Sequence, residues 1–309
     1  MQASESAVGS GTSGKGTGEY DRAFLEGIID QYLAALVAHD PSYLPLAKTV
    51  KFAENDQVLE LGDALWATVS GLGTYKLTFA DTQAGQVGLL GTIRENGRPV
   101  ILALRLKVEG RLITEVETLV ARQGEGAVKL EALGQPDPTF YETLAPEERS
   151  PREVLIAAAD LYFDGLEQGN GDIVPFADDC DRVENGTQTT RNPNMRTNPD
   201  VDWNPWEMGC REQFNTGIFN YIGSIRPRRT LIVDEERGLA FGFFMFNHPG
   251  TVKWVDVPGH GRWEMSPHAL FPSSMDIAEL FKVKNGKITK IEAVMTMQPY
   301  GTRNPFLEP

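Results

Sequence analysis

The chain has 309 residues, 41% hydrophobic and 23% charged, which suits one large soluble domain or two ordinary ones and excludes bulk disorder. A formal net charge of -14 argues against nucleic acid or an anionic membrane as the main partner. No apolar run reaches the roughly 18 residues of a bilayer span, and no Met-basic-apolar leader opens the chain.

Residues 1–18 are rich in Gly, Ser and Thr and read as a flexible tail. Phe24, Leu25, Ile28, Ile29, Tyr32, Leu33 and Leu36 then fall at helical spacing. Pro41 and Pro45 break the pattern, so a helix and a proline-broken second helix are expected. Between Lys51 and about Arg122 lie short extended runs divided by Gly, Asn and Asp, with RENGRP as a hairpin signal. Residues 123–149, with Pro136, Pro138 and Pro146, read as a linker. A helix opens at Ser150, with Pro151 at its first position and Glu153 completing a capping box.

The second half repeats the first. YLAALVAHDPSYLPLAKTVKFAEN (32–55) aligns without a gap on YFDGLEQGNGDIVPFADDCDRVEN (162–185), at offset 130. Asp81 and Gly85 meet Asp234 and Gly238 at offset 153, and Val108, Thr114 and Glu117 meet Val283, Thr289 and Glu292 at offset 175. The rising offset places insertions of 23 and 22 residues in the second copy. They hold Trp203, Trp206, Trp254 and Trp263, together with His248, His260 and His268. Long inserted loops of this kind are usually lids or binding loops.

Helices followed by a run of strands predict an α+β class, a helix lying across a curved antiparallel sheet. The segments LPLAKTVKFAEN and VPFADDCDRVEN resemble the opening of nuclear-transport-factor-2-like domains. That superfamily includes ketosteroid isomerases, SnoaL polyketide cyclases and limonene epoxide hydrolases. The whole chain resembles a two-copy, uncharacterised bacterial and fungal type. The resemblance implies two tandem cones, residues 19–122 and 150–303. It also implies roles. The helix tyrosine that donates to an oxyanion falls at Tyr32 and Tyr162. The general-base carboxylate falls at Glu54 and Glu184. The second oxyanion donor falls at Leu104 and Glu279, so only the second copy keeps all three polar groups.

Alternation on DIAELFKV puts Ile277, Glu279, Phe281 and Val283 on one face. A buried acid there would have a raised pKa. Glu184 would move a proton while Tyr162 and protonated Glu279 steady negative charge. The bland alternative has Glu184 closing a strand and pairing with Arg182 or Arg228, and Tyr162 as a core tyrosine. Phe241 and Phe243, from FGFFMF, are expected on the pocket wall or in plain sheet core. Trp206, Phe214, Tyr221, Arg228, His248, Trp254, His268 and Phe281 complete the expected substrate-binding set. The His39-Asp40 pair reads as a turn pair or, less simply, a base dyad.

The histidine spacing matches no metal-ligand motif, and no phosphate loop or dinucleotide fingerprint occurs, so neither metal nor cofactor is expected. The leading expectation is a cofactor-independent lyase or isomerase acting on a small hydrophobic, aromatic molecule. The alternatives are a non-catalytic binding or assembly protein, and an epoxide or ester hydrolase using Arg226, Arg228 and Asp276. A homodimer is compatible with either. Cys180 and Cys210 are expected close enough to bridge, which would mean a periplasmic or secreted protein; unbridged, they suit the cytoplasm.

Overall fold

The computed structural model describes residues 20–197 and 201–307; the Gly/Ser-rich tail lies outside them. Helix α1 (Arg22–Val37) begins at Asp21, whose side chain accepts from the Phe24 amide at 2.7 Å. It buries Leu25, Ile28, Ile29, Tyr32, Leu33 and Leu36. The expected second helix is instead a single 3-10 turn, Pro41–Tyr43, followed at once by strand β1 (Leu46–Glu54). Proline suits the first position of the turn, and β-branched Thr49 and Val50 suit the strand.

Next come β2 (Gln57–Leu59), short helix α2 (Leu65–Thr68), β3 (Val69–Asp81), β4 (Gln86–Glu95), β5 (Arg98–Glu109) and β6 (Leu112–Ala121). Asn96 and Gly97, both at positive φ, make the two-residue turn between β4 and β5. The expected linker carries helix α3 (Gly126–Ala132) and two 3-10 turns.

The second copy opens with α4 (Arg152–Gln168). Pro151 takes the cap position there, and the Arg152 amide donates to Glu235 at 2.9 Å rather than to Ser150. Then follow β7 (Phe176–Glu184), β8 (Thr187–Gln188), α5 (Cys210–Asn215), β9 (Ser224–Asp234) and β10 (Leu239–His248). A small hairpin, β11 (Trp254–Val257) with β12 (Gly261–Glu264), precedes β13 (Ser273–Lys284) and β14 (Lys287–Pro299).

Two six-stranded sheets result, ordered β2-β1-β6-β5-β4-β3 and β8-β7-β14-β13-β10-β9. Position for position they have the same topology. The β1–β6 and β7–β14 pairs are parallel and the others antiparallel. Each sheet curves around its long helix, and that concave side holds one core, around Tyr32 or around Tyr162. The two convex sides face each other and form a third core. It joins Tyr75, Phe79, Leu90 and Leu119 to Ile232, Phe241, Phe243, Leu280 and Val294. Gly88 permits the approach, because a Cβ there would meet the Phe79 ring and come within 2.9 Å of Ile232 Cδ1.

The seam between the sheets has approximate two-fold symmetry. Asp81 accepts from the Val233 amide at 3.0 Å and pairs with Arg152 of the second copy at 2.7 Å. Its repeat partner Asp234 pairs with Arg22 of the first copy at 2.9 Å. Each copy thus supplies a helix-start arginine to the other's β-turn aspartate, as in an isologous dimer. Beyond β14 the chain folds back over the seam. Asn304 donates to Asp56 and Glu117, each at 3.0 Å, and the Phe306 ring lies beneath Arg105 and Arg229.

Candidate functional site

Strand register sets the site. Glu184 of β7 lies opposite Ala293 of β14, which lies opposite Glu279 of β13. Directly opposed residues share a face, so both acids point into the second cone with only a methyl group between them. The same row in the first copy reads Glu54, Thr118, Leu104. The repeat alignment therefore corresponds to a physical row of side chains.

The first cone is plugged. Trp66 on α2 is fully buried, stands edge-on to Tyr32, and donates from Nε1 to its hydroxyl at 3.0 Å. Both Glu54 oxygens are taken, one by the Leu65 amide at 3.1 Å and one by Arg122 at 2.6 Å. His39 is similarly engaged, its Nδ1 2.6 Å from the Trp66 carbonyl, while Asp40 caps the 3-10 turn.

The second cone is aromatic at its base and charged above. The Tyr162 ring touches Phe163, Phe176, Phe214 and Phe281 at centroid distances of 5.2, 6.1, 5.2 and 5.0 Å. Phe214 and Phe281 therefore fill the cone rather than line an opening. Over this layer lies Arg182, which is 1% exposed and occupies the register of Phe52 in the first copy. Its Nε is 3.1 Å from Glu184 Oε1 and donates to Thr189 at 3.1 Å. Nη1 lies 3.5 Å from the Tyr162 hydroxyl, and Nη2 donates to Gln213. Burial works against this charge, but Glu184 and its neighbours outweigh it and keep the guanidinium protonated.

Glu279 is 2% exposed, and one of its oxygens has no hydrogen-bond partner. Burial pushes its pKa up to about 8, Glu184 adds to the rise, and Arg182 and the Tyr162 hydroxyl oppose it. It is mostly protonated at neutral pH. Burial also carries the Tyr162 hydroxyl far above its ordinary value.

The two insertions, between β8 and β9 and between β10 and β13, pack on one another as a lid. Trp203 stacks on His260 at 4.5 Å and tilts against Trp263 at 5.1 Å, over a small core of Ile218, Val255, Val257 and Met265. Beneath the lid is a cavity of about 380 Å³, walled by Trp206, Phe219, Tyr221, Trp263 and Met265 among others. Tyr162, Arg182, Glu184 and Glu279 are not among its lining residues; the cavity borders the charged layer through its wall. The Phe219 ring lies 5.3 Å from the Arg182 guanidinium, and burial followed by the Glu184 charge lifts Tyr221 to about 12.

Of the expected substrate-binding residues, Trp206 and Tyr221 line this cavity. His248 tilts against Tyr221 at 5.2 Å; it is buried, which lowers its pKa to about 4. Phe241 and Phe243 point the other way, into the seam. The cone-facing members of FGFFMF are Phe244 and Phe246, against Phe163. Arg228 lies along α4, bound to Asp164 at 2.8 Å and Glu167 at 3.0 Å. Trp254 is 42% exposed under Arg262, on the outside of the hairpin. The His268 side chain lies outside what is described. The trio Arg226, Arg228 and Asp276 is not assembled, because Asp276 faces the seam beside Asp56 and Glu117.

Phe219 and Met265 on the cavity wall went unread in the sequence, and Arg182 was read only as a pairing partner of Glu184, which it is, and not as the centre of a buried charged layer. The signal for Arg182 was present. The gapless alignment sets it against Phe52, and a charge where the sister copy has an aromatic core residue marks a special position. Cys180 on β7 and Cys210 at the start of α5 are free buried thiols with sulfurs 2.8 Å apart, which joins the lid's first segment to the cone.

A profile described only as a domain of unknown function, DUF8021, matches residues 148–295. No curated protein matches the chain. Among solved structures the chain is similar to a SnoaL-like polyketide cyclase from Agrobacterium tumefaciens, at 16% identity and TM-score 0.27, over 46% of this chain and 91% of that one. It is similar to PrhC from Penicillium brasilianum at 16% identity and TM-score 0.26, over 48% and 83%. An NTF2-like protein of unknown function from Cytophaga hutchinsonii aligns at 13% identity and TM-score 0.26, over 31% and 88%. No helix among the described residues is long and apolar enough to cross a membrane. By the strand order and curvature of its own two sheets, the chain is a two-copy protein of the nuclear-transport-factor-2-like fold, with the DUF8021 match on its elaborated second copy.

Proposed function

We propose that the second cone is the active site of a cofactor-independent lyase or isomerase that moves a proton on a small, flat, apolar molecule held under the lid. One observation carries this reading. At two concave positions the first copy has Phe52 and Leu104, and the second has the buried ionisable pair Arg182 and Glu279. Buried charge is expensive to hold, and perturbed acids gather at functional sites. Glu184, at the rim of the charged layer, takes the proton. Neutral Glu279, with Tyr162 behind it, donates toward the negative charge that develops. Arg182 orients Glu184. Trp206, Phe219 and Trp263 supply apolar walls that exclude water.

The test is a metabolite mixture incubated with the full chain and followed by mass spectrometry. Glu184→Gln should abolish consumption of the retained compound, and Glu54→Gln should leave it nearly intact. Equal losses, or none from Glu184→Gln, would overturn the assignment. The aromatic packing around Tyr162 favours a second reading, binding without turnover; a compound retained unchanged by the wild-type protein would select it. Cys180 and Cys210 are free thiols close enough to bridge on oxidation, and a bridge in the isolated protein would place it in an oxidising compartment. An intact mass two hydrogens lighter before reduction than after it is the check.

A further inference from the structure

The seam holds a second cavity, of about 230 Å³, distinct from the one beneath the lid. Its inner end is made by Tyr75 of β3, Phe140 of the linker and Glu292 of β14, all nearly fully buried. Its rim carries Asp137, Asp181 and Lys290. Tyr75 donates to Glu292 Oε2 at 2.7 Å, while Glu292 Oε1 is buried and has no partner.

The approximate two-fold axis supplies a control. Glu292 corresponds to Glu117 in the first copy, and both acids face the seam. Glu117 is neutralised twice, by Arg105 Nε at 2.8 Å and by Arg229 of the other copy at 2.5 Å. Arg105 stands directly across the strand pair from Glu117; the residue directly across from Glu292 is Leu280. Among the described residues, Glu292 receives from the other copy only the Tyr75 hydroxyl. The sister acid therefore has two cations, whereas Glu292 has an empty space of ligand size. Lys290 does not fill the role, since it is paired with Asp137 at 2.9 Å. Burial, with Asp137 adding to it, raises Glu292 to about 7, so the site is short of positive charge.

We propose that this seam cavity binds a small organic ammonium ion, whose N–H donates to Glu292 Oε1 in the place that Arg105 and Arg229 fill around Glu117. Tyr75 and Phe140 would offer ring surfaces to the cation, and Asp137 and Asp181 would draw it in. The site lies on the opposite side of the sheet from the lidded cone and does not depend on that cone's chemistry.

The experiment titrates n-butylammonium into the full chain at pH 8, where Glu292 is ionised, and follows heat and melting temperature. 1-Butanol, butyrate and potassium chloride at equal ionic strength are the comparisons. Saturable binding by butylammonium alone is expected, weakened at least tenfold by Glu292→Gln. Leu280→Arg supplies the missing guanidinium from within the chain and should block binding while the protein still melts cooperatively. No saturable binding, equal binding by potassium or butanol, or a Glu292→Gln protein that binds as well as wild type would overturn the proposal.

Discussion

Arg182 holds a full positive charge among phenylalanine rings, and the carboxylate beside it makes that arrangement tolerable. Removing one member of such a pair typically costs about 3–5 kcal/mol, whereas replacing buried charges with apolar groups of like volume is often neutral or stabilising. The first copy shows the apolar version. Arg182→Phe combined with Glu279→Leu copies Phe52 and Leu104 and leaves Glu184, whose side chain is 27% exposed, to water in place of its arginine, so it is expected to hold or raise the urea midpoint while ligand retention disappears. A large fall in the midpoint would mean that the pair is structural. Glu279 also makes stability depend on pH. Its folded value of about 8 exceeds the usual 4.5, so between these values the folded chain holds a proton that the unfolded chain has released. Stability should fall as pH rises through that window, at up to about 1.4 kcal/mol per pH unit for this group. Glu279→Gln removes the slope. Its urea midpoint should gain on wild type between pH 5 and pH 8, and an unchanged gap would refute the raised value. At this scale the sequence marked Glu279 and Tyr162 through the repeat. It could not choose a face for FGFFMF, because every residue of that stretch is buried and alternation disappears in a strand covered on both sides.

The elements that differ between the copies supply the lid and the cavity walls of the proposed site. Where β4 turns into β5 through Asn96 and Gly97, β10 and β13 are separated by residues 249–272, although His248 and Ser273 still pair across the gap. Replacing 249–272 with Asn-Gly should therefore leave a cooperatively melting protein with an unchanged β-sheet circular dichroism spectrum. It should also lose its ligand, since Trp263 and Met265 go with the segment. Collapse of the melt would show that the lid holds the fold together. The rising offset located both insertions without coordinates, because each lies between strands whose own sequences still align. The hairpin inside the second insertion was not legible, nor was β1 behind Pro45. In both places proline and glycine hide short strands whose pairing depends on distant chain.

At the scale of the whole molecule, the third core and the exchanged arginines make two cones into one structural unit. A melt followed by calorimetry should show a single transition whose calorimetric and van't Hoff enthalpies agree. Arg152→Ala leaves the buried Asp81 carboxylate without its cation, held only by the Gln83, Ala84 and Val233 amides, at a cost of about 1–3 kcal/mol. It should lower that one transition rather than split it. Two separated transitions would mean that the cones fold independently and the seam is incidental.

The two-fold seam has a genetic consequence. A symmetric dimer made from one gene writes every substitution twice, so a plug in one cone is a plug in both. Here the two halves of a dimer-like body lie in one reading frame and can be edited separately. Trp66 could close the first cone, and Arg182 and Glu279 could enter the second, without either change being copied across the axis. On the proposed reading the first copy serves as a fixed half-interface. The second can accept destabilising charge and long loops because its neighbour holds the sheet between them.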